Sequence, residues 1–348
     1  MKTRNKVIVG AVVFGIIAYF VTVAILGYYY FAKKPLLKEA TWVYISPDTS
    51  EDEIYTQITK GLIDPESAEA IKQCQGLLEK REGKQLKDCL GAYKLKQVLP
   101  ALQILKTILR HQQTPVKVTF NEVRLLPDLA GKMSRDLMCD SVALLNAMLD
   151  PEFIEECATD TANVICCFLP DTYEVYWDIT PEKFVRKMFG EYKKFWNEER
   201  KAKAEKLGLT PKEVSIICSI AEEETQNRKE RGVVARLYWN RLQIGMALQA
   251  DPTVKFAIGD FSIKRVLKSH LEVSSPYNTY KVAGLPPGPI RIVEKGTINA
   301  FLDSQPHKWL YMCAKEDFSG THNFADNMND HIRNANRYHA ALNKLMKK

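Results

Sequence analysis

Apolar residues are distributed along the chain in three ways. From Val7 to Ala32 they are nearly continuous: VIVGAVVFGIIAYFVTVAILGYYYFA is 26 residues without a charge, and about 20 suffice to cross a bilayer as a helix. In TWVYI (41–45) and VKVTF (116–120) they alternate, which predicts strands with one buried face. Elsewhere they recur every three or four positions. The turn PDTS ends in Ser50, and Ser50 with Glu53 makes a capping box opening a helix that runs to about Leu62. Residues 63–110 are largely helical by pattern, most strongly in QVLPALQILKTILR, where core packing alone accounts for the spacing. RLLPDLAGKMSRDLM predicts a further helix, and FLPDTYEVYW (168–177) reads as a strand pair or a structured loop. Residues 179–208 predict one long amphipathic helix, with Pro181 at its start and Gly208 at its end.

These elements give an α+β chain with a domain boundary near 168–180. A small α/β module is expected over 40–167 and a second domain over 168–348.

The stretch IAEEET (220–225) poses a sharper question. Thr210 with Glu213, and Pro211 at the first helical position, start a helix that continues through VSIICSIAEEET. At about 100° per residue, the apolar face formed by Ile216, Ile217, Ile220 and Ala221 is centred roughly 290° round from Val214. Glu222 falls near the opposite side and is expected to be solvated; Glu223 falls at the edge. Glu224 falls in the middle of the apolar face. A carboxylate so placed has its charged form disfavoured and its pKa raised, as suits a general acid. The competing reading is an ion pair at the helix end with Arg228, Arg231 or Arg236.

Composition bears mainly on partners. Charged residues make up 26% and hydrophobic ones 46%, a globular balance, and 348 residues are enough for two domains. The net charge of +7 fits an anionic partner such as a membrane surface or a cell-wall polymer. The sequence has no basic stripe with interleaved aromatics and no zinc-finger spacing, so nucleic acid is not an expected partner. The length of the apolar run and its bulky exit, Tyr28 to Phe31, favour a retained transmembrane helix over 7–32. A cleaved signal peptide would have an apolar core of about 7–15 residues and a small-residue cleavage site. Lys2, Arg4 and Lys6 on one side nearly balance Lys33, Lys34 and Lys38 on the other. Residues 1–6 are too short to be the working domain, so they are expected to form a cytoplasmic tail, with the larger part on the exported side of the plasma (inner) membrane. None of the eight cysteines forms a CxxC pair, which speaks against structural zinc. Cys74 and Cys89 are candidates for a bridge, and Cys166 with Cys167 in ICCFLP read as strand or core residues.

Four blocks now stand in order between 219 and 331: SIAEEET, ERGVVARLYWNRLQIGMALQADPTVKFAIG, SPYNTYKVAGLPPGPI and GTHNFADNMNDH. Together they resemble the YceG-like (MltG) family of endolytic murein transglycosylases. GAYKLK (91–96) and FLPDTYEVYW look like family elements upstream. The resemblance implies a lyase without metal or organic cofactor. It would cleave the β-1,4 bond between N-acetylmuramic acid and N-acetylglucosamine within peptidoglycan strands, leaving 1,6-anhydro ends, beside membrane-bound peptidoglycan synthases. The family's acid is the last glutamate of its E-x-E-T pattern, here Glu224 before Thr225, the residue the helical wheel also selects. Glu222 matches the first glutamate and would have a supporting role. The N-terminal module is often LysM-like in the family; here an insertion-like stretch lies around Cys74–Cys89. The family usually has Asn after its late histidine, where this chain has Ile332 after His331.

The remaining candidates are substrate-binding. Asn240, Arg241, Gln249 and Asp251 either bind sugar hydroxyls and acetamido groups or brace the fold; Asp251 precedes Pro252, a turn-forming pair. Tyr277, Asn278 and Tyr280 offer aromatic and amide surface. GLPPGPI (284–290), stiffened by three prolines, suits a fixed cleft wall, and the catalytic helix is expected to pack on a small sheet near it. His322 is either a site-lining residue or a structural hydrogen-bonder. Two other activities stay open: a hydrolytic muramidase with Asp251 as base, and a non-catalytic glycan-binding assembly factor.

Overall fold

The computed structural model describes residues 2–64 and 66–346; Met1 of the expected tail, Pro65 and residues 347–348 lie outside the described residues. Two compact units make up the chain: Met1–Lys117 with Asp136–Met138 and Glu174–Ile179, and Val118–Arg135 with Cys139–Tyr173 and Thr180–Lys348. They differ in extent from the domains expected on either side of 168–180, because much of 118–167 is compact with the later residues.

In the first unit, α1 (Lys2–Ala32) leaves its apolar side chains largely exposed. Within it, Ile8–Ala32 is long and apolar enough to cross a membrane. β1 (Thr41–Ile45) is followed by α2 (Glu51–Thr59) and α3 (Glu66–Glu82), and β2 (Gly91–Leu95) by α4 (Ala101–Leu109). The strands pair antiparallel, with Val43 opposite Tyr93. The predicted capping box forms: the Glu53 amide donates to Ser50 Oγ at 3.3 Å, and the Ser50 amide to Glu53 Oε2 at 2.8 Å. Val43, Ile45, Ile54, Ile58, Leu105 and Ile108 are among the side chains of one buried cluster. β2 lies inside a stretch read as helical, because five residues of mostly apolar sequence fit either period. Cys74 and Cys89 are free thiols buried in that cluster as small apolar residues, so the bridge considered for them is not formed.

β3 (Val116–Phe120) pairs with β4 (Asp171–Val175), so FLPDTYEVYW supplies one strand whose partner is VKVTF far upstream. The second unit contains α5 (Leu126–Ser134), α6 (Ser141–Met148) and α7 (Pro151–Glu156). Then come α8 (Pro181–Phe195), α9 (Glu198–Lys206), α10 (Pro211–Glu224), α11 (Arg231–Gln243), α12 (Asp251–Ile258) and α13 (Lys295–Leu302). The antiparallel pair β5 (Tyr311–Ala314) and β6 (His322–Ala325) and the helix α14 (Met328–Met346) complete it. Val164–Cys167 is a buried 3-10 turn, so ICCFLP is core and not strand. The long helix predicted over 179–208 is two. Trp196 is buried and leaves the helical conformation, with ψ 63°, and Asn197 caps α9 by accepting the Arg200 amide at 3.1 Å.

α10 starts as its caps dictate and is buried from Val214 to Glu222. It packs against α11, α12 and α13, so helices surround it where a sheet was expected. α11 in turn lies close on α13 at Gly232, where a Cβ would come within 2.4 Å of the Ala300 carbonyl oxygen.

Candidate active site

The end of α10 sets its three consecutive glutamates in three environments. Glu222, expected to be solvated, is 0% exposed. One of its oxygens accepts the Glu294 amide at 2.9 Å and lies 3.5 Å from Arg231; the other lies 3.2 Å from Arg291. Burial pushes its carboxyl up, while the Thr297 hydroxyl, Arg291, Arg231 and the Glu294 amide pull it down. The wheel fails here because it assumes one wet face, and α10 has none at this level. Glu222 is closed off from solvent, so it does not offer a substrate contact; it fastens the chain after GLPPGPI to α10. Glu223 is half-buried, held by Arg124 at 2.8 Å and Arg291 at 3.1 Å.

Glu224 occupies the last helical position and accepts the Tyr238 hydroxyl on Oε1 at 2.9 Å. The residue is partly buried at the end of the helix. Its pKa is pushed from the ordinary 4.5 up to about 7, chiefly by desolvation and further by the charge of Asp251; the Tyr238 hydrogen bond, Arg241 and Lys255 oppose the rise. No protein donor reaches Oε2 among the described residues, so that oxygen is available to a ligand. The carboxyl is thus held by one oxygen and poised to give or take a proton near neutrality.

Asp251 is exposed at the start of α12 and accepts the Tyr280 hydroxyl at 2.6 Å. Arg241 donates to the Leu310 carbonyl at 2.7 Å and the Leu248 carbonyl at 2.5 Å. Gln249 is exposed and adopts a left-handed backbone, φ 49°, with its amide on the Thr279 carbonyl at 3.1 Å. Such strain in a non-glycine residue costs about 1–2 kcal/mol and clusters at functional sites. Glu224, Asp251, Tyr280 and Arg241 therefore come together.

Other candidates make contacts within the fold. Asn240 donates to the carbonyls of His307 at 2.8 Å and Trp309 at 3.0 Å. Asn278 is fully buried and donates to the carbonyls of Leu271 and Val273 at 2.8 Å. Tyr277 packs on Phe256 with ring centroids 4.8 Å apart, and His322 bonds Glu230 at 2.9 Å.

Sequence reasoning missed Tyr238, Lys255 and Arg291, and it offered Arg231 to Glu224, whereas Arg231 lies against Glu222 and Glu294. Tyr238 is buried in an apolar stretch and reads as core until the acid it touches is known. Arg291, directly after GLPPGPI, becomes legible only once Glu222 is known to be buried and in want of a cation.

The GLPPGPI loop is tied to the same helix, with the Ile290 amide donating to Ser219 Oγ at 3.1 Å. Asn163 donates to the Pro287 carbonyl at 2.8 Å. At Gly288 an added Cβ would lie 2.4 Å from the Ala162 carbonyl oxygen. Gly288→Ala is therefore expected to cost about 1–3 kcal/mol, read as a lower denaturation midpoint with an unchanged slope.

The sequence pattern of the YceG-like family matches residues 43–337. An endolytic murein transglycosylase of Bacillus subtilis (strain 168) is 34% identical over 147 residues, 42% of this chain and 40% of that protein. The protein of the same description from Streptococcus pneumoniae serotype 2 is 28% identical over 169 residues, 47% of this chain and 30% of its own length. The chain thus spans less than half the length of these curated relatives. The crystal structure of a yceG-like protein from Listeria monocytogenes superposes with a TM-score of 0.57 at 24% identity, covering 85% of this chain and 99% of that one. With the family pattern running through most of its length, this chain belongs to the YceG-like family.

Proposed function

We propose that this chain is an endolytic lytic transglycosylase of peptidoglycan, cutting the MurNAc–GlcNAc β-1,4 bond in nascent strands to leave 1,6-anhydro-MurNAc ends and so limiting strand length. The single observation that carries the reading is the Glu224 carboxyl at the end of α10, held on one oxygen by the Tyr238 hydroxyl at 2.9 Å with its other oxygen free of protein donors among the described residues. Protonated Glu224 gives its proton to the glycosidic oxygen as the bond to the muramyl C1 breaks. The resulting carboxylate then takes the proton of the muramyl C6 hydroxyl as that oxygen attacks C1. The acid is restored and no water is consumed. Ordinary glycosidases need a second carboxylate; here Asp251 already accepts a short hydrogen bond from Tyr280.

Tyr238 orients the acid and keeps its pKa from rising further. Tyr238→Phe is expected to lower the rate about tenfold, the effect of one hydrogen bond to a charged group. A general acid works in its protonated form, and the Tyr238 bond lowers the pKa of Glu224. Its loss therefore moves the alkaline limb of the pH–rate profile to higher pH.

α1 is the membrane anchor in this reading, in place of a signal sequence, with the working part on the exported side beside membrane-bound synthases. Catalysis belongs to 168–348. The β-α-α-β order of the first unit, with its two strands antiparallel, supports a LysM-like module within 40–167.

The test is digestion of purified peptidoglycan by the full chain in water enriched in oxygen-18. Transglycosylation leaves anhydro ends without label. Labelled reducing ends would replace the proposal with a muramidase, and bound but uncut glycan with an assembly factor.

A further inference from the structure

At Glu223, the acid's neighbour in the chain, opens a cleft that the reaction itself does not use. Its narrow part, about 50 Å³, is lined by Arg124, Glu223, Lys255, Phe256 and Phe261 among others. It shares Arg124 and Phe256 with a larger cavity of about 350 Å³ walled by Leu125, Leu126, Ile165, Tyr277 and Pro289. Lys255 links this cleft to the chemistry, because its charge also acts on the Glu224 carboxyl.

The charges of the narrow part do not cancel. Glu223 gives one oxygen to Arg124 and the other to Arg291. Lys255 has no carboxylate within ion-pair distance among the described residues. Arg124 spends one nitrogen on Glu223 and lies over the Phe261 ring, 4.8 Å from its centroid.

We infer that this cleft takes the acidic stem peptide carried by the muramyl residue, so that the enzyme selects peptide-substituted strands over naked ones. The inference rests on the proposed substrate. The peptide branches from the same sugar ring whose glycosidic bond Glu224 cleaves, and it carries free carboxylates and small apolar side chains. The two cations of the narrow part and the apolar walls of the larger cavity match those two kinds of group. A naked strand has neither group and leaves both parts of the cleft to water.

The test uses the full chain in detergent carrying Glu224→Gln, so that binding is read without cleavage. The probes are un-cross-linked glycan strands with their stem peptides and the same strands stripped by an amidase. Peptide-bearing strands are expected to bind about tenfold more tightly, the value of one charge-assisted contact. Leu125→Glu, at a position 39% exposed on the cavity rim, and Lys255→Gln should each bring the ratio toward one while leaving the circular-dichroism melt in place. Equal binding of both strands, or a preference that survives both substitutions, would overturn the inference. If the parent chain cut neither polymer while the preference stood, the proposed reaction would fall and this site would remain.

Discussion

Glu224→Gln is expected to reduce strand cleavage by about a hundredfold to ten-thousandfold, the range for loss of a general acid–base group. The upper end applies because the same carboxyl serves both proton transfers. Glutamine keeps the size and the Tyr238 contact but can neither give nor take the proton. The substitution should also make the protein more stable at alkaline pH. The folded carboxyl titrates at about 7 against an ordinary 4.5, so the folded state holds its proton more tightly than the unfolded one. The stability gained from this is fully present below about pH 4.5 and is lost as pH rises through 7. Wild type should therefore match Glu224→Gln near pH 4 and fall below it by pH 8, by roughly 1–3 kcal/mol. Denaturant midpoints of the two chains at both pH values check this.

Glu222→Ala should do the reverse, although it lies two residues away. Removing this carboxylate leaves Arg231 and Arg291, 4% and 6% exposed, without their shared partner. Breaking a buried pair from one side costs about 3–5 kcal/mol; Arg231 keeps Glu294 at 3.2 Å and Arg291 keeps Glu223 at 3.1 Å, so the lower end applies. The loop after GLPPGPI also loses its amide contact at Glu294, so activity should fall with stability. Replacing Glu222 and Arg291 together by apolar residues of similar volume should restore part of the stability and none of the activity. Recovered activity in that double variant would show that the charges do not position the acid.

The contrast between these neighbours marks where sequence reasoning holds. The caps of α10, the strands TWVYI and VKVTF and the inward direction of Glu224 were legible because local chemistry decides them. The burial of Glu222 was not, because it depends on α11, on α13 and on two arginines brought in from elsewhere in the chain. The break at Trp196–Asn197 was hidden for a related reason. The helical period continues through it, and the core position taken by Trp196 overrides the pattern. Tyr238 and Lys255 act on Glu224, and Asn240 and Asn278 bond backbone carbonyls, through contacts that only the folded chain brings together.

The most direct test of the central claim is an isotope-edited infrared titration of the Glu224 carboxyl in the full chain, taken as the difference between wild type and Glu224→Gln. A protonated carboxyl band that disappears with a midpoint near pH 7 is the expected result. A midpoint near 4.5, the ordinary value, would mean that Glu224 is ionised at neutral pH, and it would contradict its role as the acid.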